Sequence, residues 1–295
     1  MRKAFRAAGL LAVTAALVAG AAAAAGGPSA TITSPTAGQK VSIRHTPYLA
    51  LAGTASFATP TAGTTRFYLR RDGCGTSNDN PHLSVTSGTD GGDGCGLILD
   101  SVVGLGGDVD QGAFVDFPAS DGMPLAFDAS RAVSGTIDIT GTAVGAVEVD
   151  VSLEGLIGGQ GVPVGNTTTT TVLDPTVSDN PVAFAIQPDA SLAGADVQGL
   201  DLRVHIHGPA LDAGFIGLSG KSSVDVPSFA ASVNQSVAVS VDDPTFANAV
   251  PGRLSGTGWS VAVPTPAIGS HTVYVRATQG FDTGATASRS FTVTK

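Results

Sequence analysis

Apolar and polar residues alternate with a period of two along most of this chain. Beyond the first 26 residues no stretch sustains an apolar period of 3.6. The alternation predicts β-strands with one face on a core and the other in water. Thr31-Ile32-Thr33 opens the first β region, and Tyr48 to Phe57 continues it. Between Arg66 and Arg71, Phe67 and Leu69 share one face, with Tyr68 and Arg70 on the other. The clearest half-buried strand sets Val147, Val149, Val151 and Leu153 against Glu148, Asp150, Ser152 and Glu154. The threonine run from Asn166 to Thr171 is expected as an edge strand or a loop. Val182, Phe184 and Ile186 form another inward set. Leu200, Leu202, Val204 and Ile206 face in, while Asp201, Arg203, His205 and His207 face out. Val237, Val239 and Val241 share a face near the end of the chain, as do Trp259, Val261 and Val263. The expected class is therefore all-β, built of antiparallel β-sandwiches.

Two ends of the chain carry a likeness to known modules. The text ITSPTAGQKV, LALAGTAS and TRFYLRR, spread over about 40 residues, resembles the opening of bacterial Ig-like modules. Gly269-Ser270-His271-Thr272-Val273-Tyr274-Val275-Arg276-Ala277 and Arg289-Ser290-Phe291-Thr292-Val293 resemble the last two strands of such a module. Between them, strand pattern and loop placement resemble the jelly-roll, galactose-binding-like sandwiches attached to secreted hydrolases. The resemblance implies an Ig-like β region at 29–72, a Gly/Asp-rich loop region clasped by cysteines at 73–112, a jelly-roll-type sandwich at 113–228 and an Ig-like domain at 229–295. The pattern leaves open whether the two Ig-like segments stand apart or pair with each other.

The first 25 residues read as a signal peptide. Arg2, Lys3 and Arg6 precede an apolar run to Val18 and an Ala-rich tract offering cleavage near Ala25. Export is thus expected, with no membrane insertion after cleavage. The net charge is −9, and the leader carries three of the 15 basic residues and none of the 24 acidic ones. A released chain this acidic does not suit nucleic acid or anionic lipid. Cys74 and Cys95 are the only cysteines, and in an exported chain they are expected to form a disulfide. It would close a loop worth about 3 kcal/mol in the chain-entropy picture.

Candidate chemistry is sparse. Asp79, Asp90, Asp93, Asp100, Asp108 and Asp110 gather around the cysteine loop, and Ca²⁺ takes such oxygen donors from irregular backbone. They are the first candidate metal site. His205 and His207, two apart on a strand, point the same way and are the alternative. That pair needs a third ligand, and no neighbouring strand visibly offers one. Glu148 and Glu154 lie about 20 Å apart on an extended strand, whereas a glycosidase pair needs about 5–9.5 Å. Glu148 and Asp150 are about 7 Å apart, yet nothing around them suggests a cleft, so all three read as a solvated face. With one Trp and three Tyr, the chain has few rings on which a sugar could stack.

The expected function is a secreted, non-catalytic binding or structural protein of the bacterial extracellular surface. Its partner would be a protein or glycan at the cell surface, contacted through loops at the sandwich ends. A carbohydrate-binding accessory module and a hydrolase with an unrecognised site are the alternatives. No cofactor is expected beyond Ca²⁺.

Overall fold

The alternation is realised as strands nearly everywhere it occurs. The computed structural model describes residues 27–44, 47–71, 80–87, 97–99, 108–109, 115–143, 146–174, 176–177, 179–209, 211–216, 218 and 221–295. The signal segment, Cys74 and Cys95, and Asp79, Asp90, Asp93, Asp100 and Asp110 lie outside these residues. Asp108 is described in its backbone only. The fold is all-β, with antiparallel sheets closed around two separate hydrophobic cores.

One core belongs to both ends of the chain. In its first sheet the strand order is Ser29–Ser34, Tyr48–Ser56, Gly258–Pro264, Arg253–Ser255. Leu51 stands opposite Val261 and Gly53 opposite Trp259, so segments some two hundred residues apart are hydrogen-bonded neighbours. The facing sheet runs Val250–Pro251, Gln235–Val241, Gly269–Gln279, Ala287–Thr294, Lys40–Ser42. Its last pairing is parallel, Val41 against Val293. Ile32, Leu49, Leu51, Val239, Trp259, Val273, Val275 and Phe291 fill the space between the two sheets. The question left open by the sequence thus has a structural answer: the terminal segments pair.

Trp259 locks this closure. It is almost fully buried, and its indole Nε1–H donates to the Thr31 carbonyl at 3.0 Å. The ring passes directly over Gly53. A Cβ there would lie 1.8 Å from the Thr31 oxygen and 2.5 Å from Trp259 Nε1, so only glycine fits.

The second core lies wholly within the intervening chain. A 13-stranded sheet system runs, along its main path, through Gln160–Val172, Ala146–Ile157, Asp196–Pro209, Leu125–Phe127, Ser223–Phe229, Val133–Ala143, Leu211–Ile216 and Leu97–Leu99. The threonine run is its edge strand. Phe67, Phe117, Phe127, Ile137, Val149, Leu202, Val204 and Val224 are buried together. Strand Ala62–Arg70 belongs here and not with the first β region. It pairs with Ser223–Phe229 from Ala62↔Phe229 to Tyr68↔Ser223. The two ends of the inserted body therefore leave it side by side, and the Ala230 amide donates to the Thr61 carbonyl at 2.9 Å.

Gln279 ties the two bodies at that point. Buried to 4% exposure, its Oε1 accepts from the Ala58 amide at 2.9 Å. Its Nε2 donates to the carbonyls of Ala58 and Ser232, both at 2.8 Å. One side chain thus holds both connecting segments.

Two outcomes are expected in urea denaturation. Gly53→Ala, which forces the ring off the strand, destabilises the protein by about 2–3 kcal/mol. Gln279→Ala, which removes two part-buried bonds to Ala58 and leaves the buried Ser232 carbonyl without its side-chain donor, costs about 1–3 kcal/mol.

Candidate functional site

Strand pairing brings a further candidate donor, which the sequence did not show, beside the two histidines. Ala146–Ile157 and Asp196–Pro209 are antiparallel neighbours, with Glu148 opposite His207 and Asp150 opposite His205. Val147, Val149 and Val151 on one strand, and Val204 and Ile206 on the other, are buried to 0–1% exposure. The alternate residues are therefore forced onto the outer face of the sheet. Four donors converge there from two strands.

The distances are short. His207 Nε2 lies 3.1 Å from Asp150 Oδ2 and 3.4 Å from Glu148 Oε2. His205 Nδ1 lies 3.5 Å from the same Asp150 oxygen. The two imidazoles stack with centroids 5.1 Å apart and planes 20° from parallel. One donor atom each from Asp150, His205 and His207 fall within 4.8 Å of one another. Asp150 is fixed from behind: across the edge pairing Asp150↔Thr168, the threonine hydroxyl donates to Oδ1 at 2.6 Å. Partial burial opposes ionisation of this carboxyl. The bonds from Thr168 and the two histidines outweigh it and hold the group below the ordinary aspartate range.

The outer face continues past the histidines into a different balance of charge. Arg203 lies 3.1 Å from Asp116, 3.4 Å from Asp201 and 3.6 Å from Glu154. At that end one guanidinium serves three carboxylates. The solvated-face reading of Glu154 therefore becomes an ion-pair network, and that of Glu148 and Asp150 becomes a histidine–carboxylate cluster.

A second feature lies where the two bodies meet. A cleft of about 590 Å³ is walled by Thr64, Thr65, Asp196 and Ser228 of the inserted body and by Phe281 and Asp282 of the terminal one. Phe281 is 43% exposed. Asn234 braces Asp196 by donating to its Oδ2 at 3.0 Å and to the Gly194 carbonyl at 2.7 Å. Nothing in the period-two pattern marks this site, because its residues come from strand ends and the two connecting segments.

His271, in the module-like stretch near the end of the chain, lies in the terminal body. Its Nδ1 is 2.6 Å from Asp242 Oδ2 and its Nε2 is 2.7 Å from the Ala267 carbonyl. Both ring nitrogens face acceptors, so only the imidazolium satisfies both.

Comparison with protein-family models and with curated proteins finds no match for this chain.

The Asp242 hydrogen bond is the main cause holding the His271 pKa above its ordinary value, with partial burial opposing it. The stability this pair contributes is complete below the unfolded-state value of about 6.5 and is lost as pH rises through the higher folded value. His271→Gln is expected to flatten the dependence of Tm on pH across that window, with the native and variant profiles running parallel above it.

Proposed function

We propose that this chain is a secreted, non-catalytic binding protein of the bacterial extracellular surface, taking its ligand where the two sandwiches join. The observation that carries the reading is the cleft. Both bodies wall it, and the connecting segments and strand-end loops line it. Ligand sites fall preferentially at such domain junctions. Two rigid β bodies clasped by Gln279 would hold the walls at fixed separation, so that little ordering is needed on binding. The signal-like first 25 residues, the acidic charge and the likeness to Ig-like and galactose-binding-like modules fit an exported protein of this kind. A disulfide between Cys74 and Cys95 and a Ca²⁺ site in the acidic stretch around it belong to the same reading.

The cleft also favours a carbohydrate as the ligand. Phe281 offers a ring face on which the apolar face of a sugar can stack. Asp196 and Asp282 are acceptors for its hydroxyls, and Ser228 and Thr65 can donate or accept.

Binding to a glycan array and to immobilised polysaccharides tests the proposal. The expected outcome is retention of the intact protein on a defined neutral glycan, weakened at least tenfold by Phe281→Ala. Glycan binding indifferent to Phe281 and Asp282 places the ligand elsewhere and overturns the cleft. Turnover of ester, peptide or glycoside substrates that is abolished by a single Asp or His change overturns the non-catalytic reading.

A further inference from the structure

We propose that the outer face of the inserted sandwich holds one divalent transition-metal ion of the zinc class, bound by Asp150, His205 and His207 with Glu148 as the fourth donor. This site is independent of the cleft.

Donor chemistry selects the ion. Two imidazole nitrogens with carboxylate oxygens suit Zn²⁺, Cu²⁺ or Ni²⁺, whereas Ca²⁺ and Mg²⁺ prefer all-oxygen shells. Spacing agrees. In a tetrahedral site with bonds of about 2.1 Å, neighbouring donors stand about 3.4 Å apart. Asp150 Oδ2 stands 3.1 Å from His207 Nε2 and 3.5 Å from His205 Nδ1, and one donor atom from each of the three lies within 4.8 Å of the others. Glu148 Oε2, 3.4 Å from His207 Nε2 on a half-exposed side chain, completes the set by rotating inward. The backbone has already brought the donors together, since all four sit at directly opposed positions of one antiparallel pair.

The surroundings support a metal over ordinary cross-strand ion pairs. Thr168 occupies one oxygen of Asp150 and leaves the other directed at the histidines, as an outer-shell group does for a ligating carboxylate. Charge points the same way. Among the described residues no Lys or Arg pairs with Glu148 or Asp150, whereas the carboxylates farther along the same face share Arg203. A divalent cation would neutralise both acids at once. With Glu148 turned in as the fourth donor no open position would remain, so the ion would act as a structural cross-link between Ala146–Ile157 and Asp196–Pro209.

Titration calorimetry and thermal unfolding of the chelator-treated full chain, with ZnCl2 and separately CaCl2, test the proposal. The expected result is one equivalent of Zn²⁺, a raised Tm, and no competition from millimolar Ca²⁺ at that equivalent. His205→Gln with His207→Gln is expected to lower zinc affinity by at least about a hundredfold, and Thr168→Val by about tenfold. His271→Gln should leave it unchanged. Should the double variant fold poorly, Asp150→Asn and Thr168→Val carry the test, with circular dichroism as the check on folding. Zinc binding of equal strength in these variants, zinc displaced by Ca²⁺, or no zinc binding to the native chain overturns the proposal.

Discussion

Pairing between Tyr48–Ser56 and Gly258–Pro264 is the constraint on which the rest of this molecule depends. Without it the terminal core has no second half, because Ile32, Leu49 and Leu51 come from one end of the chain and Val239, Val273 and Phe291 from the other. Bringing such distant segments together costs loop entropy, but that cost grows only with the logarithm of loop length. The inserted body reduces it further. Its first and last strands, Ala62–Arg70 and Ser223–Phe229, are themselves paired, so once it has folded the two connecting segments emerge as neighbours. The remaining closure spans only residues 57–61 and 230–257 instead of the whole intervening chain, and the Gln279 side chain fastens the two connecting segments.

The same geometry explains the choice of residues at the seam. Trp259 buries the largest aromatic side chain in the protein against a strand that must then lack a side chain, and Gly53 is that residue. Gly280, at φ +57°, turns the chain beside Ser232 and Asp196, where a Cβ would come within 2.6 Å of the serine Cβ. The Gly280 contact brings the terminal body up against Asp196 of the inserted one, beside the cleft between them.

Much of the strand inventory was legible in the sequence, because a strand between core and water reports itself residue by residue. The buried sets Phe67/Leu69, Val147/Val149/Val151 and Leu202/Val204/Ile206 all follow from alternation, as do the outward His205 and His207. Partnership was not legible. Period two says which way a side chain points and nothing about which strand lies beside it. Sequence order alone therefore groups Ala62–Arg70 with its chain neighbours, and alternation alone leaves Asp150 looking solvated although it lies directly across from His205. The cleft was hidden for a related reason: it is lined by strand ends and connectors, which carry no periodic signal. Its one exposed ring, Phe281, is unremarked among the 12 phenylalanines.

Nuclear Overhauser contacts across the terminal sheet test the closure most directly. The register places Ala50 opposite Ala262, Ala52 opposite Ser260 and Thr54 opposite Gly258. Cross-strand contacts, alternating between α-proton and amide-proton pairs, are expected along this whole ladder in the folded protein. Contacts that pair each of the two strands only with residues from its own end of the chain would contradict the closure.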